Sequence, residues 1–196
     1  MFVSSLLVGR AWCGWLCPAG GLQEAAFGIN NGRFKLGKRD WIKWFIWVPW
    51  IAGIVAAFIA AGGPRKVDFF HLTDGGVSVT HPMQYIVYLL VVGVFLVLAV
   101  LMGRRAGCHT ICWMAPFMIL GRKLRNLAAW PSLRLVAQPE ECRDCLKCGT
   151  NCPMSLDVHG MVQKREMEHS ECILCGTCVD NCGHDAIRFA FSAGKR

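Results

Sequence analysis

The chain has 196 residues, of which 54% are hydrophobic and only 17% are charged, and its mean hydropathy is +0.39. Soluble domains carry about 25% charged residues, so this composition excludes an ordinary water-soluble domain for the whole chain. The formal net charge of +8 would suit nucleic acid, but the sequence contains no basic recognition helix or nucleic-acid-binding motif, and nucleic-acid binding is excluded.

The chain opens with a short apolar stretch and a cysteine pair that recurs later. Met1–Val8 is too short to span a bilayer, which takes about 20 residues, and it lacks the basic start and cleavage site of a signal peptide. Gly9–Cys17 (GRAWCGWLC) and Gly103–Cys112 (GRRAGCHTIC) both place Gly-Arg before a C-x3-C pair. Only the second copy follows a long apolar segment. We therefore expect that the first helices of a repeat are missing, are supplied by a partner, or were lost to a mis-assigned start.

Two long apolar segments occupy the middle of the chain. Trp41–Ala61 carries one charge, Lys43, and its tryptophans crowd one end as in an interfacial belt; Met83–Met102 carries no charge and is too long for a strand. Both segments predict transmembrane helices, at about 41–61 and 83–102. The outer flanks are richer in Lys and Arg than the connecting loop, which predicts a multi-pass protein of the cell inner (cytoplasmic) membrane with its C-terminal third facing the cytoplasm.

The C-terminal third carries the same cysteine spacing twice. Cys142, Cys145, Cys148 and Cys152 follow C-x2-C-x2-C-x3-C, and so do Cys172, Cys175, Cys178 and Cys182. In chains with two such runs, the remote cysteine of each run binds the cluster of the other run. The spacing therefore predicts two 4Fe–4S clusters, one held by Cys142, Cys145, Cys148 and Cys182 and the other by Cys172, Cys175, Cys178 and Cys152.

Two other uses of these cysteines fit less well. A disulfide scaffold requires an oxidising compartment, and no signal peptide is visible. A zinc ribbon needs only two C-x2-C pairs, which would leave a third and a fourth cysteine of each run without a role.

The cysteine motifs carry a family resemblance. The stretches CRDCLKCGTNCP and CILCGTCVDNC resemble a bacterial-type two-cluster ferredoxin domain. GRAWCGWLCPAG, the helix pair, the second C-x3-C and CPMSLDV together resemble the NapH-type membrane polyferredoxins. That group includes the quinol-oxidising subunit of periplasmic nitrate reduction, and its relatives act in nitrous-oxide reduction and in cytochrome-oxidase assembly, where copper is handled. The resemblance implies electron transfer from quinol to a partner redox protein within a larger complex.

The two C-x3-C pairs form a second candidate site, made of Cys13, Cys17, Cys108 and Cys112. On a helix, a spacing of i, i+4 places both thiols on one face, so the four could converge on a metal or third cluster, exchange disulfides, or form an electron entry point. The alternative is that each pair only packs, because free cysteine behaves as a small hydrophobe. Pro18 predicts the start of a new helix. His71, His81 and His109 are weaker candidates for haem or quinone binding, and His109 is the best of them because it lies between two cysteines.

The predicted fold is a membrane domain over residues 1–130, with two transmembrane helices and short re-entrant or amphipathic helices, followed by an α+β two-cluster ferredoxin-like domain over residues 131–196. The predicted function is single-electron relay between a membrane donor, quinol by resemblance, and a partner protein. The alternatives are a redox assembly or metal-handling factor and a cluster-bearing anchor subunit of a complex. The sequence contains no nucleotide fingerprint and no triad, so no catalytic residue is assigned.

Overall fold

The computed structural model describes residues 2–35, 37–63 and 79–193, without the side chain of Lys38. His71, one of the weaker haem or quinone candidates, lies outside these ranges, as does most of the loop between the two apolar segments.

Three short helices form the N-terminal part. They are α1 (Phe2–Val8), α2 (Ala11–Trp15) and α3 (Pro18–Ala25), with a 3-10 turn at Ala26–Gly28. Gly9 separates α1 from α2 with a φ of +57°, a conformation that glycine adopts at little cost. Pro18 begins α3, as predicted, because its missing N–H is not needed in a first helical turn. A second 3-10 turn at Lys38–Trp41 leads into the first long helix.

The two long helices are α4 (Ile42–Ala60) and α5 (Pro82–Met102), and their ends agree with the predicted ranges to within one residue. By length and composition, both are apolar enough to cross a bilayer. The core helix of a soluble protein is mostly buried, whereas only 6% of the apolar window of α4 and 11% of that of α5 lie inside the protein. Most of the apolar surface of both helices is therefore exposed in the structure.

Two further helices connect α5 to the C-terminal part, α6 (Ala106–Thr110) and α7 (Met114–Leu127). Helix α7 packs against α1 and α4. The approach of α1 is so close that a Cβ on Gly121 would lie 1.8 Å from Ser5 Oγ. Glycine at this position therefore lets the N-terminal helices lie directly on α7.

The C-terminal part is a small α+β unit. Strands β1 (Ser132–Ala137) and β2 (Ile187–Ser192) pair antiparallel, with Ser132 opposite Ser192 and Ala137 opposite Ile187. Between them lie a 3-10 turn and three short helices: Pro139–Glu141, α8 (Lys147–Thr150), α9 (Val158–Gln163) and α10 (Thr177–Asp180). The sheet thus joins the two ends of this unit and closes the cysteine loops between them.

One hydrophobic core runs through both parts of the chain. Cys13 of α2 and Met118 of α7 belong to the same buried cluster as Cys152, Ile173 and Cys178 from the α+β unit. The segments that carry the first C-x3-C pair therefore pack directly against the loops that carry the ferredoxin-type cysteines.

Candidate iron–sulfur centres

The two cysteine runs fold into loops of the same shape. In the first loop, Asp144 and Leu146 flank Cys145 with φ values of +52° and +58°. In the second, Leu174 and Gly176 flank the equivalent cysteine with φ values of +52° and +87°. Left-handed residues on both sides of a cysteine curl the backbone tightly, and a one-turn helix then presents the third cysteine of the run (Cys148 in α8 or Cys178 in α10).

The structure brings the eight cysteines together in two groups of four. One cavity is lined by Cys142, Cys145, Cys148 and Cys182, and we call it the outer site. The other is lined by Cys152, Cys172, Cys175 and Cys178, and we call it the inner site. The fourth cysteine of each run thus lies in the cavity of the other run, in the same grouping that the spacing predicts for the two ligand sets.

The distances between cysteine sulfurs help to distinguish a zinc site from an iron–sulfur site. Zinc held by four thiolates brings the sulfurs to about 3.8 Å from one another, given tetrahedral geometry and Zn–S bonds of about 2.3 Å. Among the described residues, which include all twelve cysteines, no three cysteine sulfurs lie within 4.8 Å of one another. The close spacing of a four-thiolate zinc site is thus not found there, whereas in an iron–sulfur cluster each thiolate binds a different iron.

The two sites differ in exposure. Cys152, Cys172 and Cys178 of the inner site are buried, whereas Cys145 of the outer site is exposed. Burial raises the pKa of the Cys178 thiol far above its ordinary value, and the neighbouring Cys172 and Cys175 raise that pKa further. Thiolates are therefore unstable in the inner cavity without cations, which bound iron would supply.

Helix α2 packs on the inner loop. Trp15 Nε1 donates a hydrogen bond of 2.9 Å to the carbonyl of Leu174, which lies between two inner-site cysteines. A Cβ on Gly14 would lie 2.6 Å from the carbonyl oxygen of Ile173 and 3.0 Å from the Cα of Cys175. The first C-x3-C segment and the inner site are therefore in direct contact.

Two arginines from outside the α+β unit, Arg104 between α5 and α6 and Arg122 in α7, also reach the inner site. Arg104 donates to the carbonyls of Thr150 and Cys152, the latter at 3.4 Å. Arg122 donates to the carbonyls of His169 and Cys172, the latter at 3.2 Å. Both guanidinium groups thus contact the backbone of residues that line the inner cavity.

A buried charge cluster precedes Cys172. Glu171 pairs with Arg10 at 3.0 Å and with Lys43 at 2.6 Å. Burial acts to raise the pKa of Glu171, but Arg10 and Lys43 outweigh it and lower that pKa to about 2. The cluster therefore ties the N-terminal end of α2, at Arg10, and helix α4, at Lys43, to the inner loop by charge.

His109, the best of the histidine candidates, belongs to the same region. Its Nδ1 lies 2.9 Å from Asp40 Oδ1, and its ring stacks on Phe34 with the centroids 4.7 Å apart. The side chain is fully buried. His109 therefore lies beside Asp40 and Glu171, and the ligand atoms of these three residues are within 4.8 Å of one another.

Five of the Lys and Arg residues that flank the apolar segments in the sequence lie inside the protein. Arg104, Arg105, Arg122, Arg125 and Lys43 are buried against protein groups. The sequence alone does not distinguish an arginine that contacts lipid headgroups from one that donates to a carbonyl far away in the chain. The repetition of Gly-Arg before both C-x3-C pairs was the one sequence feature that suggested a structural role for these arginines.

The premise that each C-x3-C pair lies on one helical face is also wrong. Cys13 lies in α2, whereas Cys17 precedes α3 with an extended backbone (φ −75°, ψ 114°), because Pro18 cannot continue a helix. In the second copy, Cys108 lies in α6 and Cys112 lies beyond its end. Both copies nevertheless close with the same backbone bond, since the amides of Cys17 and Cys112 donate to the carbonyl five residues earlier.

Three of these four cysteines line one cavity. Cys17, Cys108 and Cys112 border a space of about 360 Å³, together with apolar side chains that include Tyr88 and Phe95 of α5. Burial, with a smaller contribution from Cys112, raises the pKa of the Cys108 thiol to about 12. The fourth cysteine, Cys13, does not line this space; it is buried, with its sulfur 3.4 Å from that of Met118.

The chain matches family models of iron–sulfur proteins. A 4Fe–4S binding domain model matches residues 1–39 and 84–128, the segments that carry the C-x3-C pairs. A 4Fe–4S dicluster domain model matches residues 134–183, which carry the two four-cysteine runs. Together with the relatives described next, these matches support an iron–sulfur electron-transfer protein.

The curated relatives are longer proteins. The putative electron transport protein YccM of Escherichia coli is 28% identical over 92% of this chain and 50% of its own length. Protein RdxA of Cereibacter sphaeroides is 24% identical over 93% of this chain and 42% of its own length. The nitrogen fixation protein FixG of Rhizobium meliloti is 25% identical over 93% of this chain and 38% of its own length. The chain thus spans about half of these relatives or less, and no solved structure matches it.

Proposed function

We propose that this chain is a membrane-anchored electron relay, which passes single electrons between a donor in the lipid phase and a partner redox protein. The observation that carries the proposal is the order of contacts. Helix α2 contacts the inner loop through Trp15 and Gly14, whereas the outer site carries the exposed Cys145. That order gives a path from membrane to inner site to outer site to protein surface.

The ligands of the relay are the eight ferredoxin-type cysteines. Cys152, Cys172, Cys175 and Cys178 hold one 4Fe–4S cluster at the inner site, and Cys142, Cys145, Cys148 and Cys182 hold another at the outer site. When bound, such clusters supply one-electron oxidation and reduction. The protein holds the thiolates, keeps water from the inner site and exposes the outer site to a partner.

Helices α4 and α5 anchor the relay by crossing the bilayer. Their 19 and 21 residues correspond to about 28 and 32 Å of helix, close to the thickness of a hydrocarbon core of about 30 Å. The α+β unit then lies on the side of the basic flanks, which by the positive-inside rule is the cytoplasmic face of the inner membrane.

The proposed donor is quinol, as in the NapH-type proteins that the chain resembles. The cavity beside α5 supports a lipid-soluble donor. Its volume of about 360 Å³ falls within the range of small-molecule pockets, and Tyr88 and Val91 place it along a helix that faces lipid. Its inner end carries the thiols of Cys17, Cys108 and Cys112.

Metal content and quinol-dependent reduction test this function. Anaerobically purified full-length chain should contain about eight irons with matching acid-labile sulfide, and a short-chain quinol in liposomes should reduce the clusters. About twelve irons would assign a third cluster to the C-x3-C pairs. Iron-free protein loaded with zinc would overturn the relay, and clusters that no quinol reduces would overturn the donor.

A metal-handling role is the second candidate, because Cys17, Cys108 and Cys112 line one cavity. Thiolates select soft ions such as Cu(I). Stoichiometric copper that is lost in Cys112→Ser, while the eight irons remain, would support this role. Copper binding that is unchanged in Cys112→Ser would reject it.

A further inference from the structure

Arg104 is a buried cation next to the inner site. It is 8% exposed, and it follows α5 by two residues. Its guanidinium donates to Asn31 Oδ1 at 2.6 Å and to the carbonyls of Thr150 and Cys152. The ring of Phe27 lies 5.8 Å from its Cζ.

Arg104 has no carboxylate partner in the part of the chain that the structure describes. The other buried basic groups around the inner loop do have one: Arg10 and Lys43 pair with Glu171, and Arg122 pairs with Glu168. A charge that is buried without a counter-charge is strongly destabilising. The position of Arg104 therefore requires a negative group that the side chains around it do not supply.

The inner site meets this requirement. Four thiolates around a cluster leave the site negatively charged, and one added electron makes it more negative. The carbonyl of Cys152 brings Arg104 to the backbone of one of these four ligands. In a buried region, the attraction between such charges is much less screened than at the surface.

We propose that Arg104 is the positioning residue of the inner site: it supplies the counter-charge of the four thiolates and holds the reduction potential of this site above the value it would otherwise have. The inference rests on the proposed ligand set of the inner site. Because the inner site takes up its electron beside a fixed positive charge, it accepts an electron from the membrane more readily than it would without Arg104. Arg143, which lines the outer site, is exposed to solvent and gives that site no equivalent buried charge.

The test is a redox titration of the full-length chain, followed by EPR, in which the inner-site signal is identified as the one altered by Cys175→Ser. In Arg104→Gln, the ratio of reduced to oxidised inner site at a fixed potential should fall about tenfold, which corresponds to about 59 mV for one electron. The outer-site signal should not move. Arg104→Lys keeps the charge and should retain most of the potential.

Asn31→Asp is a second variant that leaves Arg104 in place. Asn31 is exposed, and its Oδ1 already accepts a hydrogen bond from Arg104, so an aspartate here would neutralise the guanidinium. It should shift the inner-site signal in the same direction as Arg104→Gln. Arg165→Gln is the matched control, because Arg165 is 61% exposed and pairs with Glu140 at the surface.

The outcomes separate this inference from the function on which it rests. Wild-type protein without iron would reject the relay itself. Full iron content with an unmoved inner-site potential in Arg104→Gln and Asn31→Asp would reject only the role of Arg104. An equal shift of both signals, or a shift in Arg165→Gln, would also reject it, because a general change of charge would then explain the effect.

Discussion

The indole of Trp15 donates a hydrogen bond of 2.9 Å to the carbonyl of Leu174, although the two residues are 159 positions apart in the chain. Leu174 separates two cysteines of the inner site, and Trp15 lies within the first C-x3-C pair. The same contact brings the backbone of Gly14 against the inner loop. The junction between the N-terminal helices and the α+β unit is thus formed at the cysteine motifs themselves.

Gly14→Ala should loosen this junction. Its Cβ would lie 2.6 Å from the Ile173 carbonyl, so backbone must move, at a cost of about 1–3 kcal/mol in the free energy of unfolding. Gly21→Ala is the control, because its Cβ would meet nothing within 4 Å. Denaturant unfolding and iron content of both variants check this prediction. Equal stability of the two variants would contradict it.

The ligand sets predict which substitutions share a spectroscopic effect. Cys182→Ser should alter the same EPR signal as Cys145→Ser, because both residues line the outer cavity. Cys152→Ser should alter the signal that Cys175→Ser alters. If Cys152→Ser instead changed the signal of Cys145→Ser, each run would hold its own cluster and the exchanged ligand sets would be wrong.

Glu171 should stabilise the protein strongly at neutral pH. Glu171→Gln leaves Arg10 and Lys43 buried without their counter-charge, so we expect a loss of about 3–5 kcal/mol. The exposed pair of Glu140 and Arg165 is a matched control, and Glu140→Gln should cost less than about 1 kcal/mol. Urea unfolding at pH 7 measures both differences.

The pH dependence of this difference has a definite sign. The folded pKa of Glu171, about 2, lies below its ordinary value of 4.5, so the stabilisation is fully present above pH 4.5 and is lost as the pH falls toward 2. The difference in unfolding free energy between wild type and Glu171→Gln should therefore stay constant from pH 8 to about pH 5.5. A difference that shrinks within this range would show that another group dominates.

The cysteines of the C-x3-C pairs should differ in reactivity. In metal-free protein, iodoacetamide at pH 7 should modify Cys17, which lines the cavity beside α5 and is partly exposed. Cys108 should stay unmodified, because burial raises its pKa to about 12 and thiolates are the reactive form. Mass spectrometry of the peptides checks this. A short-chain quinone that occupies the cavity should slow the labelling of Cys17. Fast labelling of Cys108 would contradict the prediction that this thiol is buried and protonated.

Local rules predicted the elements of this fold that depend on neighbours in sequence. Helices α4 and α5 follow from their length and apolar composition, α3 follows from Pro18, and the cysteine loops follow from their spacing. The matched dicluster domain over residues 134–183 agrees with the iron–sulfur interpretation of those loops.

Long-range charge placement could not be predicted in the same way. Arg104 contacts a carbonyl 48 positions away, and Arg10 contacts one 160 positions away. No local pattern encodes such partners, and the position of Arg104 beside an apolar segment indicated only a membrane flank. The prediction that both cysteines of the first C-x3-C pair share one helical face was wrong for a local reason. The backbone is extended at Cys17, so the pair does not lie in one continuous helix.

The shared core has a consequence for how the relay meets its partners. Cys13 and Cys178 lie in one packed cluster, and Glu171 joins the start of α2 and helix α4 to the inner loop. A unit fastened in this manner cannot swing out to carry charge over a distance, as a tethered shuttle does. In the proposed relay, the acceptor would therefore dock at the exposed outer site, and turnover would depend on the encounter rate of that acceptor rather than on a hinge within the chain.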